Sequence, residues 1–536
     1  MKIGKLLFLA LSSLSLFSSC IDDAEQNTYI TDERRNEIAN EDPDRSFSSS
    51  VAGMYTNMQQ YVKNDLTHNY FGQKSFDYLT SLMGNDMVMT GRYAMSIFHH
   101  LCDYWGQDYT PTSNRWNEYY TCIDNANKIL KSLDPEETDP KVLKYRAIAL
   151  GMRGYAYLQL SYLYQQSYYV GADDTKWGKG EPYDNSEAKC VPIVTEKSNG
   201  NQPLSTVKQV MDQIKSDLSS SYEIFEQIGG VHTTDPTDFD GCVAANYLAR
   251  AYMITHDWDQ ALKYAQVVID NFPILTGEDQ LLQGFSNINL PDVVFGCDVT
   301  NDNTTIYMSW FSQMDVYGGG YAAVGVWRAA YKPFVDRIAD DDVRLKWFCC
   351  KRSTGTDKDG NVMLRDVNTA AAVDYQSVKF IGAGRDAVIA NADAIAEGDA
   401  APGWEVGDYI YLRSEEAYLM KAEILAHQGK LGEAKTALES FMQTRQPSYT
   451  YAKGDTKADL IEEINFQKRV EFWGEGMEFL DNRRLNIDVD RTKDGDNNNH
   501  LPAARIHYKQ NDRAFRYQIP RSEIENNDQI SEDDQN

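Results

Sequence analysis

From Ser46 onward, apolar residues recur at helical intervals. In "FSSSVAGMYTNMQQYV" the positions Phe47, Val51, Met54, Tyr55, Met58 and Val62 fall near i, i+3, i+4, i+7 spacing, so one helix face is apolar. The same period predicts helices over 114–132, 141–168, 204–227, 241–270, 413–445 and 457–485. Between 275 and 405 the period breaks. Gly and Asp cluster there ("VYGGGY", "GTDKDGN", "EGDAAPGWEVGD"), and short β-like runs such as "VVFGCDV" and "SVKFIG" replace long ones. The pattern predicts a mainly α fold: one body over 46–536, made of a helical frame carrying a long irregular insert at about 275–405 with short β segments.

Two helical stretches share a finer spacing. In "NYLARAYMITHDWDQALKYAQVVIDNFP" Ala249 and Ala261 stand twelve apart around the turn "HDW", and Pro273 closes the unit. In "EEAYLMKAEILAHQGKLGEAKTALESFMQTRQP" Ala422 and Ala434 repeat that spacing around "GKLG", with Pro447 near the closing place. Small residues at these points let two antiparallel helices approach closely, the logic of a tetratricopeptide hairpin. "YRAIALGMRGYAYLQLSYLY" reads as the first helix of another hairpin, with "STVKQVMDQIKSDLSSSYEIF" as its partner and the loop 168–203 inserted between them.

Ahead of the frame, "IDDAEQNTYITDERRNEIANEDPDRS" is polar and acidic, a tether over 20–45. Before it, Lys2 and Lys5 precede an apolar run from Leu6 to Phe17 that ends at Cys20. Twelve helical residues reach about 18 Å, well short of the roughly 30 Å hydrocarbon core of a membrane. A signal peptide over 1–19 fits better than a span. Ser18 and Ser19 directly before Cys20 suit a lipoprotein signal peptidase, although Phe17 stands where Leu is usual. Cys20 is therefore expected to become a lipidated N-terminus. No later stretch is apolar for 18 residues.

Bulk composition excludes some functions. A net charge of -28 leaves no basic footprint for nucleic acid, and 42% hydrophobic with 12% aromatic residues describe a folded body. Without Cys20, seven cysteines remain, an odd number with no CxxC, so buried free thiols are expected and a zinc site is not. The histidines form no HExxH, and His99-His100 put their rings on different helix faces. No GxSxG appears. Gly382-Ala-Gly384-Arg-Asp-Ala387 imitates a dinucleotide fingerprint without a βαβ frame. Asp490, Thr492, Asp494 and Gly495 imitate a calcium loop, but Leu501 stands where a bidentate Glu is needed. The expectation is a protein without catalysis, cofactor or metal.

The order of features resembles the SusD/RagB family of outer-membrane nutrient-binding lipoproteins over nearly the whole chain. The likeness is carried by the lipidated start, "FSSSVAGMYTNM", "WNEYYTCIDNANKIL", "YRAIALGMRGYAYLQLSYLY", "VPIV", "VKQVMDQIKSDL" and the two alanine-spaced repeats. At the C-terminus "LIEEINFQKRVEFWGEGMEFLDNRRLN" and "RYQIPRSEIENNDQI" follow. Glu471, Glu475, Gly476, Asp481 and Arg484 match the family's late helix; Gly474 and Glu478 depart from it, read as changes in core packing. The resemblance implies tetratricopeptide-like hairpins on one side and an irregular ligand-binding region on the other. It also implies a cell-surface position on the outer membrane, no catalysis, and a SusC-like TonB-dependent transporter partner to which glycan is delivered. Peptide-binding RagB-like uptake is the alternative, and a purely structural helical-repeat partner protein is a third. Asp22, Asp23 and Glu25 resemble an outer-face sorting signal.

A glycan site needs aromatic faces for sugar C–H surfaces and polar groups for hydroxyls. Two regions supply both. One offers Asn85, Asp86, Arg92, Tyr104 and Trp105; the other offers Tyr307, Trp310, Tyr317, Tyr321 and Trp327. The glycine-flanked loop favours exposure of Tyr317 and Tyr321, whereas Trp116, spaced with Tyr119, Tyr120 and Ile123, reads as core.

Overall fold

The computed structural model describes residues 42–60, 68–90, 96–103, 105–170, 182–509 and 512–535. Cys20, the signal peptide and most of the tether lie outside them. The first helix, α1 (Pro43–Gln59), starts ahead of Ser46 because Asp42 caps it, accepting the Arg45 N–H at 3.1 Å, with Pro43 in the first turn. Helix α2 (Gln73–Met83) was not expected: Phe76, Leu79, Leu82 and Met83 share one face at helical spacing, yet all eleven residues, polar ones included, are buried. Its polar residues are spent inside the fold. Lys74, for example, pairs with Asp77 at 3.2 Å and donates to the Ile410 carbonyl at 3.1 Å.

The frame is built from helices α3 (Thr110–Ser132), α4 (Pro140–Tyr164), α5 (Val207–Ile228), α6 (Gly241–Ile254) and α7 (Trp258–Asn271), followed later by α8 (Glu415–His427) and α9 (Leu431–Met442). Trp116, Tyr119 and Ile123 of α3 are core, as their spacing predicts. Helices α4 and α5 pack along their length although the loop between them is long. Glycines allow this contact: a Cβ on Gly154 would come within 2.7 Å of Leu218, and one on Gly151 within 2.8 Å of the Ser221 Oγ. In the two predicted hairpins, α6–α7 and α8–α9, the four spaced alanines Ala249, Ala261, Ala422 and Ala434 are fully buried, and α7 packs on α8.

The stretch 457–485 is not one helix. It divides into α10 (Lys457–Glu471) and α11 (Met477–Arg484), because Gly474 and Gly476 take φ of 84° and 80° between them. At Gly476 a side chain would also meet the Asp77 Cα at 2.9 Å, so α2 seats directly on this break.

The insert has no sheet larger than a strand pair among the described residues. Strand β1 (Met87–Met89) pairs antiparallel with β3 (Arg328–Ala330), Val88 opposite Ala329. Strand β2 (Val293–Cys297) pairs antiparallel with β4 (Tyr409–Arg413), which leads into α8. Each pair joins distant sequence. The first brings the two candidate ligand regions, near 85 and near 320, side by side.

Frame and insert are fastened by the C-terminal motif. Glu471 is fully buried and lies 3.2 Å from Arg413, 3.1 Å from Arg445 and 3.4 Å from Arg344. Glu475 holds Arg413 at 2.9 Å and Lys379 of the insert at 2.6 Å. Asp481 pairs with Lys468 at 2.7 Å, and Arg484 reaches Glu423 at 2.6 Å. These arginines hold both carboxyls Glu471 and Glu475 below the usual carboxylate range despite burial. The motif is an internal ion network, not a ligand site. All seven described cysteines are free, and six are buried.

Candidate functional site

Of the ten predicted site residues, Arg92 and Tyr104 lie outside the described residues. Four others are committed to the interior. The Asp86 carboxylate accepts from Arg469 Nε at 2.6 Å. Trp105 stacks on Tyr517 with centroids 4.7 Å apart and donates its indole N–H to the Ala514 carbonyl. Trp310 is buried beneath the Lys74 ammonium, 4.2 Å from its ring. Tyr317, expected to be exposed, is buried and donates its hydroxyl to the Arg365 carbonyl. None of these rings presents a face to solvent. Asn85 is half-buried: its side-chain oxygen accepts the Asp490 N–H at 2.8 Å and its own N–H goes to Glu478. Glu478, one of the two departures from the family pattern, thus closes the turn before β1. Burial and the neighbouring Asp86 push its carboxyl up to about 7.

Tyr307, Tyr321 and Trp327 remain at the surface, and the structure groups them with residues the sequence did not single out. Tyr307 is 55% exposed, and its ring lies 6.3 Å from that of Trp404. Trp404 lies against the backbone of Gly318 and Gly319: a Cβ at Gly318 would stand 2.9 Å from the indole. A Cβ at Gly320 would stand 2.4 Å from the Ser312 Cα. The three-glycine run is therefore required by close approach, and it forms a shelf for Trp404. Tyr321, at the end of the shelf, shares a hydrogen bond of 3.1 Å with His68 and meets that ring edge-on at 4.5 Å. Trp327 is half-buried where its carbonyl accepts from Thr90 at 3.1 Å.

The loop presenting Tyr307 is strained. Ile306, a β-branched residue, has φ of 50° and is 44% exposed. The surrounding turn over-determines that conformation: Ser309 donates to the Ile306 carbonyl at 2.6 Å and Thr305 to the Met308 carbonyl at 2.6 Å. Thr304 also donates to the Glu405 carbonyl, tying this turn to Trp404. The half-buried Glu405 carboxylate has no partner among the described residues, leaving an acceptor beside the rings. Beneath the shelf, Asp315 accepts the N–H groups of Tyr317 at 2.8 Å and Gly382 at 2.9 Å. Burial pushes its carboxyl up to about 7 despite those donors.

Trp404, Glu405, His68 and Ile306 were missed. Trp404 sits in "PGWEVG", a turn-rich stretch, and is nonetheless buried against the glycine shelf. The other three carry no sequence signal. The dinucleotide-like glycines serve packing, since a Cβ on Gly382 would meet the Trp404 carbonyl at 2.2 Å. In the calcium-like loop, Asp490 accepts from Thr492 and pairs with Lys493 at 2.9 Å, while Asp494 accepts from Tyr331. His232, Asp240 and Cys242 come within metal-ligand reach of one another. Both Asp240 oxygens there already accept backbone N–H groups, from Val243 at 3.0 Å and Thr233 at 2.9 Å. Burial also pushes the Cys242 thiol far up. No described helix is long and apolar enough to cross a membrane.

Comparison with known proteins follows the same outline. No curated protein matches the chain in sequence. Among solved structures, a SusD-like carbohydrate-binding protein from Bacteroides vulgatus superposes with a TM-score of 0.70 at 19% identity, over 91% of this chain and 97% of that one. A SusD superfamily protein from Bacteroides thetaiotaomicron gives 0.68 at 19% identity, over 92% and 99%. Surface glycan-binding protein A from Bacteroides uniformis gives 0.61 at 16%, over 92% and 99%. At such identities the likeness concerns the fold. Residues 32–253 match a SusD-like family model described as starch-binding associating with outer membrane, and residues 402–536 match the model of the SusD family. Matched by models of one family in both its N-terminal and its C-terminal part, and sharing their fold throughout, the chain belongs to the SusD/RagB family.

Proposed function

We propose that this chain is a non-catalytic glycan-binding lipoprotein whose ligand lies across Tyr307, Tyr321 and Trp327, with the buried Trp404 backing Tyr307. The observation that carries the reading is Tyr307, an exposed ring on a strained turn, set against a tryptophan on a glycine shelf. Flat aromatic faces without a deep cavity suit the C–H surface of an oligosaccharide, with Glu405 accepting from its hydroxyls. The names of the family model and of the structural relatives support a carbohydrate ligand. Lipid on Cys20 would hold the body at the outer membrane beside a SusC-like TonB-dependent transporter, raising the effective ligand concentration there without any gain in affinity.

Calorimetric titration against a polysaccharide panel tests the reading. Tyr307→Ala is expected to weaken the best oligosaccharide about tenfold, the equivalent of one stacked ring, with unchanged thermal unfolding. Oligopeptide binding without any glycan binding would transfer the site to the RagB-like alternative.

A further inference from the structure

A second cleft, sharing no residue with the aromatic face, lies between α10, the segment after α9 and the insert turn 337–342. Its volume is about 510 Å³, within the roughly 300–1,000 Å³ of small-ligand sites. Four charged side chains line it: Arg337, Asp342, Lys453 and Glu463. Three are already neutralised. The two Asp342 oxygens accept from Arg344, at 3.1 Å from Nε and 2.8 Å from a terminal nitrogen. Glu463 pairs with Lys453 at 3.1 Å and accepts from Gln467 at 2.7 Å and Tyr449 at 3.2 Å.

Arg337 is left over. Its guanidinium sits 4.0 Å from the centre of the Phe466 ring, and no carboxylate among the described residues lies within ion-pair distance. The charged group nearest in effect is Arg469, which repels it and whose own carboxylate partner is Asp86. Arg337 is exposed, and Glu463, Glu462 and Asp86 act on it only from beyond ion-pair distance, so its free guanidinium edge is open to an anion arriving from solvent. Tyr451 lines the same cleft with its ring, while its hydroxyl is buried without a hydrogen-bond partner.

We propose that this cleft is a second saccharide site, selective for a sugar carrying a carboxylate, a hexuronic acid residue. The carboxylate would take the free guanidinium edge of Arg337, a charge-assisted and geometrically specific contact. The sugar ring would pack beside the half-buried Tyr451 ring. A monoanion matches the single uncompensated charge. The saccharide class rests on the glycan reading of the aromatic face; the carboxylate requirement rests on this cleft alone.

The test titrates the full-length chain with galacturonic acid and glucuronic acid trisaccharides and with their carboxyl-reduced neutral counterparts. The expected result is a preference of about tenfold or more for at least one acidic trisaccharide, weakened at high salt. Arg337→Gln should erase that preference with no change in melting temperature, Arg337→Lys should keep part of it, and Tyr307→Ala should leave it intact. Equal affinity for acidic and reduced forms, or a preference that survives Arg337→Gln, overturns the proposal. So does Arg337-dependent binding of an N-acetylated peptide with a free C-terminus in place of sugar. Neutral oligosaccharide bound through Tyr307 with no acidic preference overturns this proposal alone; no saccharide binding at all overturns the glycan reading with it.

Discussion

At the frame–insert junction, Glu471 sits out of solvent among three guanidinium groups; on the insert's outer face, Tyr307 stands in solvent on a residue with φ of 50°. The first region uses expensive interactions to fix geometry, since buried charges are tolerated only when fully paired. The second keeps rings uncovered and a backbone strained, which stabilises nothing and makes sense only for a ligand. Conserving the fold and recruiting a ligand are assigned to different stretches of chain. That division predicts which substitutions damage stability and which damage binding alone.

The largest effect is expected at the junction. Glu471→Gln leaves Arg344, Arg413 and Arg445 partly uncompensated in the interior, and removing one partner of a buried ion cluster costs about 3–5 kcal/mol. Urea unfolding should show that loss, together with weaker coupling of insert to frame. A loss below about 1 kcal/mol, the range of surface pairs, would mean that the network is not what fastens the two regions. Next in size is Gly154→Leu, which forces a side chain into Leu218 where α4 meets α5. Overpacking of this kind costs about 1–3 kcal/mol, and the melting temperature should fall while glycan affinity stays unchanged.

Two sets of buried groups, one of histidines and one under the aromatic shelf, should also respond to pH with opposite signs. His99, His100 and His500 are buried, and burial lowers all three below 6.5, His99 and His500 to about 3. Between about 3 and 6.5 the unfolded chain binds their protons and the folded one does not, so they destabilise as pH falls through 6.5. Asp315, under the aromatic shelf, is raised from 3.8 to about 7. Between those values the folded chain holds the proton, so its contribution is present at low pH and lost as pH rises to 7. Each group has a limiting slope of about 1.4 kcal/mol per pH unit. Stability measured from about pH 5 to pH 7 should therefore rise more steeply in Asp315→Asn than in the wild type, and less steeply in His500→Gln. Parallel curves for all three proteins would remove both assignments.

The same contrast explains what could be read from the sequence. Amphipathic helices announce themselves by period, so α1, α3 and the alanine-spaced hairpins were legible, down to the buried Ala249 and Ala422. Helix α2 was passed over although Phe76, Leu79, Leu82 and Met83 keep the period; that its polar residues are buried as well is something no period announces. The break at Gly474–Gly476 was hidden by continuous apolar spacing on either side. At the site, composition located the two regions but could not rank their rings. Trp310 and Tyr317 are aromatic as Tyr307 is, and only their tertiary packing makes them core. Trp404 joins the site through glycines more than eighty residues earlier in the chain, a relation that no local pattern carries.

The smallest predicted effect bears most directly on the division between the regions. Ile306→Gly removes the Cβ that opposes a positive φ, relieving strain of about 1–2 kcal/mol, but a glycine also frees the unfolded chain by roughly 0.5–1 kcal/mol. The net gain in stability should lie between zero and about 1.5 kcal/mol, read as a small upward shift in melting temperature. Binding should move the other way. Without the β-branched side chain the turn no longer restricts Tyr307 to one presentation, so the ligand must order the ring itself, at about 0.5–1.5 kcal/mol. Calorimetry should then report several-fold weaker glycan binding with a less favourable entropy. A variant that is both more stable and an equally good binder would show the strained turn to be incidental, and Tyr307 would lose its claim as the ring the insert is built to display.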